Sequence, residues 1–308
     1  MPSFADAPVH VRVPATSANL GPGFDSAGLA LGLLDDVVVA VTAGGLEVEV
    51  EGEGAGDLPR DERHLVVRAL RAAFDRLGGQ PRGLSLRCAN RVPHARGLGS
   101  SSAAIVAAVV AARALVVDGA EVLDAQGSLE LADELEGHPD NVAACLLGGL
   151  TLSWSGPDGV RATSLTVHRQ VTPLVCVPTS TLSTHVARGL LPDLVPHGDA
   201  AFNAGRSALL VHALTTAPTL LMEATEDRLH QSQRASAMPG TAALVADLRD
   251  AGHAAVVSGA GPSVLVVDAR PEDAALVRTV VPEGWEVLDL AVEPAGARIR
   301  YGDRAVSS

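Results

Sequence analysis

The amino-acid sequence predicts an α+β protein with two domains, and three observations support this prediction. The chain has 308 residues, 47% of them apolar, which is enough for a large core and for more than one domain. Both halves mix strand-like and helix-like patterns, without an internal repeat. Residues 155–159 (SGPDG) form the strongest break near the middle of the chain, so we expect domains at 1–157 and 158–308.

The first half begins with strands and then carries its helices. Strand patterns lie at 9–14, 37–42, 46–51, 84–87 and 150–154. Helical patterns lie at 62–77, 103–117 and 128–136. Residues 137–141 (GHPDN) are typical of a turn.

The second half repeats this mixture in a different order. Strand patterns lie at 173–177, 254–257, 264–267 and 285–290, and helical patterns at 203–216, 220–230, 241–251 and 272–280. A glycine turn at 258–263 (SGAGPS) separates two of these strands. The alternation completes an α+β order in both halves.

The charge balance argues against nucleic acid as a partner. The formal net charge is −13, the 23 basic residues are all arginine, and aromatic residues make up 2% of the chain. Nucleic-acid affinity depends on cationic contacts and on aromatic stacking. An anionic ligand must therefore be held locally, by a few arginines and backbone amides.

The sequence predicts a cytoplasmic protein that does not bind membranes. Its longest apolar helical stretch, 103–117, is interrupted by Arg113 and is shorter than a membrane span. The first residues lack the basic segment of a signal peptide. Cys88, Cys145 and Cys176 are scattered among apolar neighbours, which favours reduced thiols in the core over a disulfide framework or a metal site.

Residues 93–104 (PHARGLGSSSAA) have the composition of a phosphate-binding loop. Gly97 and Gly99 can adopt backbone angles that other residues avoid, and three serines follow at the start of an apolar helix. Backbone amides at a helix N-terminus bind anions. The alternative is an ordinary serine-capped helix start. A Walker loop is excluded because no lysine follows, and a dinucleotide fingerprint fits poorly because Ser102 stands where the third Gly or Ala is needed.

Two further motifs identify a family when they are taken together with this loop. One is 13–25 (VPATSANLGPGFD) and the other is 258–263 (SGAGPS). The three motifs occur in the order found in the GHMP kinase superfamily, and within it the chain resembles the homoserine kinases over nearly its whole length. The resemblance implies an N-terminal domain like domain 2 of ribosomal protein S5, a ferredoxin-like C-terminal domain and an active site between them.

The resemblance also implies a reaction and its cofactors. It implies transfer of the γ-phosphoryl group of ATP to the side-chain hydroxyl of L-homoserine, with Mg²⁺, for threonine biosynthesis. Ser101 and Glu130 resemble the magnesium ligands of the family; the alternative for Glu130, which the resemblance makes the lesser one, is a solvated helix face. The residues that the resemblance assigns to the nucleotide are Pro93, Arg96, Gly97, Leu98, Gly99, Ser100, Ser101, Ser102, Ala103, Gly259 and Gly261.

The substrate has an ammonium and a carboxylate, so its site needs at least one carboxylate and one guanidinium. By resemblance, Asp25 pairs with the ammonium and Asn19 orients the substrate. Arg234 resembles the carboxylate-binding arginine, and Thr184 with Arg188 resembles a second clamp on substrate and phosphate. A surface ion pair is the alternative for each arginine.

The turn at His138 carries the strongest indication of the acceptor, since related kinases have other residues there. We expect His138 and Asn141 to contact homoserine, and we count Asn141, Asp140 and Arg188 as the catalytic group. Asp140 is either a general base or mainly structural, and we favour the structural role, with the hydroxyl proton leaving on the phosphate ester. One departure from the family is His64, where relatives commonly have an asparagine near the nucleotide.

Other functions remain open at this point. A different small-molecule kinase of the superfamily would act on mevalonate, a sugar or a diphosphocytidyl erythritol. A non-catalytic sensor would have lost its metal ligands. The expected partner is the small molecule L-homoserine, and a homodimer is the expected form if the chain self-associates.

Overall fold

A computed structural model describes residues 2–267 and 274–300. Its first sheet has the path β11-β1-β2-β4-β3, with β5 paired to β2 and β6 paired to β5. The strands of this sheet are β1 (Val9–Ala18), β2 (Ala27–Thr42), β3 (Gly45–Gly52), β4 (Gly83–Asn90), β5 (Leu150–Gly156), β6 (Gly159–Leu165) and β11 (Arg298–Arg300).

Five helices complete the N-terminal domain, and the second of them is its centre. α2 is rich in alanine and valine and is buried on almost every side, so it packs between β1, α1, α4 and α5. Small side chains permit this close approach of helices and sheet. The helices are α1 (Leu65–Arg76), α2 (Ser100–Leu115), α3 (Gly119–Val122), α4 (Ala125–Glu136) and α5 (Pro139–Leu147).

The second sheet has the order β10-β7-β9-β8, with every neighbouring pair antiparallel. In chain order this is strand 4, 1, 3, 2 of a β-α-β-β-α-β unit, so the ferredoxin-like prediction is confirmed. Its strands are β7 (Leu174–Val177), β8 (Ala255–Val257), β9 (Val264–Val266) and β10 (Glu286–Asp289). Its helices are α6 (Thr184–Gly189), α7 (His197–Thr215), α8 (Leu221–Ala224), α9 (Gln231–Arg234), α10 (Pro239–Asp250) and α11 (Ala274–Val280).

The domain boundary expected at 157/158 falls inside a β-hairpin. Strands β5 and β6 pair from Leu150–Leu165 to Gly156–Gly159, and β6 therefore belongs to the first sheet. A Gly/Pro-rich break is as typical of a hairpin turn as of a linker. The chain passes from the first sheet to the second between Leu165 and Leu174, and it returns to the first sheet at β11.

Most predicted elements are present, with shifted ends. The predicted strand at 37–42 is the second part of the longer β2, and the predicted turn at 137–141 contains the start of α5. The helix predicted at 220–230 is broken, because the Asp227 carboxylate accepts the backbone amides of Leu229, His230 and Gln231. For the helix predicted at 272–280, positions 272 and 273 lie outside the described residues, and α11 covers the rest.

Two predictions about the whole chain can be compared with the structure. Across residues 2–267 and 274–300, no helix combines the length and apolarity needed to cross a membrane. Cys88, Cys145 and Cys176 are buried free thiols, as predicted. Burial raises the pKa of Cys88 and of Cys176 to about 12, so both are protonated and unreactive at neutral pH.

Candidate active site

A cavity of about 340 Å³, here called the interdomain cavity, lies where the two domains meet. It collects residues from β1, the phosphate loop, α5, α6, α9 and the turn after β8. The sequence-predicted residues that line it are Asn19, Gly97, Leu98, Gly99, Ser100, Ser101, His138, Asp140, Asn141, Thr184, Arg188, Arg234 and Gly259. Thirteen of the predicted site residues thus line this one cavity.

The phosphate loop needs its two glycines for close packing. Gly97 and Gly99 have φ values of 70° and 67°, which favour glycine. A Cβ on Gly97 would collide with the backbone oxygen of Ser258, and one on Gly99 would collide with Oγ1 of Thr16. Ala103 N donates the first bond of α2, to Gly99 O at 2.8 Å. The amides of the three preceding serines are therefore the free N-terminal donors of the helix and can hold phosphate oxygens.

The turn at 258–263 packs on this loop, as the family resemblance implies. Ser258 Oγ donates to Gly97 O at 2.7 Å, and Gly259 N donates to Ala18 O at 3.1 Å. Asn19 Nδ2 donates to Gly259 O at 2.8 Å. The three motifs found in the sequence thus contact one another directly.

Glu136, not Glu130, is the carboxylate at the phosphate loop. Ser101 Oγ and Ser102 Oγ donate to Glu136 Oε1 at 2.6 and 2.9 Å. The Glu130 carboxylate lies on another face of α4, where it accepts from Gln126 Nε2 at 2.7 Å beside Gly159. The predicted Ser101–Glu130 pair is therefore corrected to Ser101–Glu136.

The start of α5 forms a linked group of three side chains. Asp140 Oδ1 accepts from the backbone amide of Asn141 at 2.7 Å and from Nδ2 of the same residue at 3.3 Å. His138 Nδ1 lies 3.1 Å from the same oxygen. The hydrogen bond to Asp140 raises the pKa of His138, against the opposing effect of burial. Asp140 thus orients both neighbours and favours an imidazolium at His138.

Thr16 is a site residue that the sequence analysis missed. Its Oγ1 donates to Asn141 Oδ1 at 2.6 Å, so the Asn141 amide is held from both sides. Thr16 lies in the first sequence motif, but only the three-dimensional contact between β1 and α5 shows what it does. Glu136 was missed for the same reason.

Asp25 and Arg188 form a bidentate ion pair at the edge of the interdomain cavity. Arg188 Nη2 and Nη1 donate to Asp25 Oδ1 and Oδ2 at 2.6 and 3.1 Å. The backbone amide of Asp25 donates to Asn19 Oδ1 at 3.0 Å, which fixes the turn that presents this carboxylate. The ion pair raises the pKa of Arg188. Asp25 itself does not line the cavity, but its ion-pair partner Arg188 does.

Arg234 is a buried arginine without an ion-pair partner among the residues the structure describes. Only 1% of its surface is exposed. Its guanidinium donates to Ala187 O at 3.2 Å and lies 3.3 Å from His230 Nδ1 and 5.3 Å from the ring centre of Phe24. Burial lowers the pKa of Arg234, which means that its charge is poorly solvated. Such a group is ready to bind an anion in the cavity.

Not every predicted site residue lines the interdomain cavity. Arg96 donates to the backbone oxygens of Pro178, Thr179 and His94, so it ties the loop to the second domain. The predicted residues that do not line the interdomain cavity are Asp25, Pro93, Arg96, Ser102, Ala103, Glu130 and Gly261.

A second cavity of about 220 Å³, here called the α1 cavity, adjoins the first through Ser100 and Ser101. It is mainly apolar and lies between β2, α1 and the first turn of α2. Ala103 lines it, together with the buried side chains of His64 and Asp35. Asp35 Oδ1 accepts the backbone amides of Arg91 and Val92, while burial raises the pKa of this carboxyl.

Comparison with known proteins agrees with this architecture. The model of the GHMP kinases N terminal domain matches residues 64–149, and that of the GHMP kinases C terminal domain matches residues 206–287. The crystal structure of homoserine kinase from Cytophaga hutchinsonii superposes with a TM-score of 0.82 at 26% identity, over 97% of this chain and 99% of that one. L. major mevalonate kinase shares the fold, with a TM-score of 0.68 at 15% identity, over 96% of this chain and 99% of that one.

Relatives found by sequence have higher identity to this chain than these two structures have. The homoserine kinase of Streptomyces avermitilis is 59% identical over 97% of both chains. That of Streptomyces coelicolor is 58% identical over 97% of this chain and 96% of the relative. With identities of this size over nearly the full length, the chain belongs to the homoserine kinase family of the GHMP kinases.

Proposed function

We propose that the interdomain cavity is where this enzyme transfers the γ-phosphoryl group of ATP to the side-chain hydroxyl of L-homoserine. The product is O-phospho-L-homoserine, for threonine biosynthesis. The observation that carries the proposal is Arg234, a buried guanidinium that faces the cavity without an ion-pair partner among the described residues. Ser100 and Ser101, at the start of α2 with its free amides, line the same cavity. The interdomain cavity therefore has one site that can bind a carboxylate, at Arg234, and one that can bind phosphates, at the start of α2.

The phosphates of ATP fit the loop at the start of α2. The amides of Ser100, Ser101 and Ser102 carry the positive end of the helix dipole, which offsets the unfavourable net charge of the protein. The nucleoside fits the α1 cavity, because that cavity is apolar and meets the loop at Ser100 and Ser101. This arrangement leaves the interdomain cavity free for the acceptor.

Ser101 and Glu136 suit a magnesium ion. Both offer oxygen donors, and Mg²⁺ binds few protein oxygens together with substrate phosphates. Their hydrogen bond of 2.6 Å supports the fit, because it brings the two oxygens to one side of the loop. When bound, the metal supplies charge neutralisation on the phosphates.

The charged groups of homoserine have separate partners in this proposal. Arg234 binds the α-carboxylate, since a buried guanidinium forms a strong charged hydrogen bond with it. Asp25 binds the α-ammonium, which replaces Arg188 in the present ion pair. Arg188 is then released toward the transferred phosphoryl group. Thr184 and Asn19, which also line the cavity, complete the acceptor site.

The hydroxyl of homoserine approaches Asn141 and His138. Oδ1 of Asp140 already receives hydrogen bonds from Asn141 and the ring of His138, so we assign Asp140 to orientation. The oxygen of the hydroxyl forms the new bond to phosphorus while the bond to ADP breaks, and the hydroxyl proton leaves on the phosphate ester. Positioning and charge stabilisation supply the catalysis, as phosphoryl transfer requires.

The test is ADP release by purified protein with Mg²⁺ and ATP. L-homoserine is compared with L-serine, L-threonine, mevalonate and galactose, and release confined to homoserine is expected. Arg234→Met should raise the KM for homoserine at least tenfold, because a charged hydrogen bond is worth about 1.5–3 kcal/mol. Arg228→Met is the matched control, since Arg228 is half-exposed and pairs with Asp199 outside the cavity. Equal effects of the two variants would refute the carboxylate assignment.

We also place the enzyme in the cytosol. The support is the three free thiols, each buried and none in a disulfide, which is typical of proteins from reducing compartments.

A further inference from the structure

His230 is a buried histidine to which the proposed function gives no role. It directly precedes α9, the short helix that ends at Arg234, and none of its surface is exposed. It does not line the interdomain cavity, so it can influence the acceptor only through a neighbour. Its imidazole has hydrogen-bond partners in Gly21 and Arg234 and stacks on the ring of Phe24.

The two hydrogen-bond partners fix the position of the ring proton. Nε2 lies 2.8 Å from the backbone oxygen of Gly21, which can only accept. Nδ1 lies 3.3 Å from Nη1 of Arg234, which can only donate. Both contacts are satisfied only by the neutral imidazole that carries its proton on Nε2. Burial lowers the pKa of His230, and the charge of Arg234 adds to this effect, which keeps the ring neutral.

Asp227 is a carboxylate beside the ring, but it is not the acceptor of the ring proton. Its Oδ2 lies 3.8 Å from Nε2 of His230, beyond the length of a hydrogen bond. The carboxylate instead accepts the backbone amides of residues 229–231 and Nδ2 of Asn203. Its charge raises the pKa of His230, against the larger effect of burial. His230 is therefore a neutral link between Gly21 and Arg234.

The imidazole is anchored to the turn that precedes Asp25. Gly21 holds Nε2, and the ring of Phe24 stacks on the imidazole with centres 5.0 Å apart and planes 27° apart. A Cβ on Gly21 would collide with the backbone oxygen of Thr225. The turn is thus packed tightly against the segment that leads to His230, and it gives the imidazole a fixed support.

Arg234 is oriented by two acceptors, of which His230 is one. Its Nε donates to the backbone oxygen of Ala187 at 3.2 Å, and its Nη1 donates to Nδ1 of His230 at 3.3 Å. Two held nitrogens fix the plane of a guanidinium. Nη2 has no partner among residues 2–267 and 274–300. Both acceptors are neutral, so they orient the guanidinium without forming an ion pair that would compete with an anionic ligand.

We propose that His230 is a positioning residue for the acceptor, which holds the guanidinium of Arg234 in one orientation and leaves its charge to the carboxylate of the acceptor. The proposal rests on the proposed function, because it takes Arg234 as the group that binds the α-carboxylate of L-homoserine. His230 itself touches neither substrate. It transmits the fixed position of the turn at Gly21 to the side chain that binds the ligand.

Two substitutions of His230 test this role by steady-state kinetics. His230→Leu removes both ring nitrogens, whereas His230→Gln keeps one acceptor and one donor on a planar amide. We expect His230→Leu to raise the KM for L-homoserine about tenfold and to leave the KM for ATP within about twofold of the wild type, because one hydrogen bond to a charged group is lost. We expect His230→Gln to stay within about threefold for both substrates. A rise of both KM values alike in His230→Leu would overturn the proposal.

The matched control is His253→Leu. His253 is also a buried histidine, but it lies between α10 and β8 and lines neither the interdomain cavity nor the α1 cavity. Its substitution should leave the KM for L-homoserine within about twofold of the wild type. A rise equal to that of His230→Leu would mean that loss of any buried histidine weakens acceptor binding, and would refute a specific role of His230.

A double-variant cycle shows whether His230 acts through Arg234. In Arg234→Met there is no guanidinium to orient, so addition of His230→Leu should change the KM for L-homoserine by less than about twofold. A further rise as large as in the wild type would overturn the proposal. Failure of the proposed function gives a different result, since Arg234→Met would then leave this KM unchanged. If Arg234→Met raises the KM and His230→Leu does not, only the role of His230 is refuted.

A last measurement uses the unmodified protein and does not depend on how a variant folds. NMR correlation of the ring ¹⁵N nuclei with the ring protons distinguishes the two neutral tautomers from the imidazolium, and the spectrum of His230→Gln identifies the signals of His230. We expect a proton on Nε2 and none on Nδ1 between about pH 6.5 and about pH 8. A proton on Nδ1 would set two donors against each other at Arg234 and would refute the orienting role.

Discussion

Ser101 Oγ donates a hydrogen bond of 2.6 Å to Oε1 of Glu136, which joins the phosphate loop to the last residue of α4. Gly137 follows with φ 88°, a left-handed conformation that ends the helix and turns the chain to His138. Within three residues, the chain therefore places the Glu136 carboxylate at the phosphate loop and the His138 imidazole at the interdomain cavity. In the proposed function, this turn lets the phosphates and the acceptor hydroxyl meet between α2 and α5.

The first prediction separates Glu136 from Glu130. Glu136→Gln should lower kcat about 100-fold or more, because an amide holds Mg²⁺ poorly and charge neutralisation of the phosphates is worth several kcal/mol. Glu130→Gln is the matched control and should stay within about twofold of the wild type, since Glu130 bonds Gln126 away from the cavity. The measurement is steady-state kinetics with a Mg²⁺ titration. A larger loss for Glu130→Gln would restore the pair expected from the sequence.

The second prediction concerns the Asp25–Arg188 pair. Asp25→Asn should lose at least tenfold in kcat/KM for L-homoserine, because the neutral amide gives up a charged hydrogen bond worth about 1.5–3 kcal/mol. The loss should be much smaller for 4-hydroxybutanoate, which has the hydroxyl and the carboxylate but no ammonium. Asp199→Asn, at a more exposed ion pair with Arg228, is the control. If Asp25→Asn affects both acceptors equally, Asp25 does not bind the ammonium.

The sequence predicts the parts of this site that are made by neighbouring residues, but not those that depend on contacts between distant segments. The phosphate loop and the His138 turn are each continuous in sequence, so their residue types alone indicate their roles. The carboxylate partner of Ser101 is not, because α4 has Glu130, Asp133, Glu134 and Glu136 on several faces. Only the packing of α4 against α2 decides which of them meets the loop. Thr16 depends on a tertiary contact in the same way, its hydrogen bond to Asn141.

The fold shows a similar limit. Periodicity located most strands and helices, since hydrophobic patterns are local, but it did not predict β6, β11, α3, α5 or α6. The boundary expected at 157/158 divides a β-hairpin, because residues 155–159 predict a turn but not what pairs across it. Strand β6 pairs with β5 through Trp154–Arg161 and its neighbours, a relationship that no single segment contains. The Asp227 carboxylate likewise breaks a periodic helix through bonds to three successive amides.

The third prediction follows the proton on His138. Asp140 raises the pKa of His138, so the imidazolium contributes stability that is fully present below the unfolded value of about 6.5. This contribution is lost as the pH rises through the higher folded value. Asp140→Asn should lower the pKa of His138, measured by NMR titration of the ring, and should destabilise the protein more at about pH 5.5 than at about pH 8.5. An unchanged pKa would contradict the pair.

The same variant tests the orienting role of Asp140. Loss of a general base costs about 10²–10⁴-fold in rate, whereas an asparagine can keep the hydrogen bonds that orient His138 and Asn141. We therefore expect kcat of Asp140→Asn to fall by well under about 10³-fold. A folded variant with a loss of that size or more would make Asp140 the base.

The last prediction concerns Gly99 and Thr16. A Cβ on Gly99 would collide with Thr16 Oγ1, the atom that holds Asn141, and φ of 67° is also unfavourable for alanine. Gly99→Ala should therefore lower both the free energy of unfolding, by about 1–3 kcal/mol, and kcat/KM for homoserine. Gly44→Ala is the control, since no atom lies within 4 Å of the added Cβ.

The double variant Gly99→Ala/Thr16→Ala distinguishes collision from backbone strain. If the collision dominates, removal of Oγ1 recovers part of the lost stability, whereas activity stays low because Asn141 has lost its donor. Chemical denaturation and kinetics on the four proteins of this cycle give the coupling between the two positions. Additive effects would mean that Gly99 is needed only for its backbone angles, and that the Thr16–Asn141 bond forms independently of the loop.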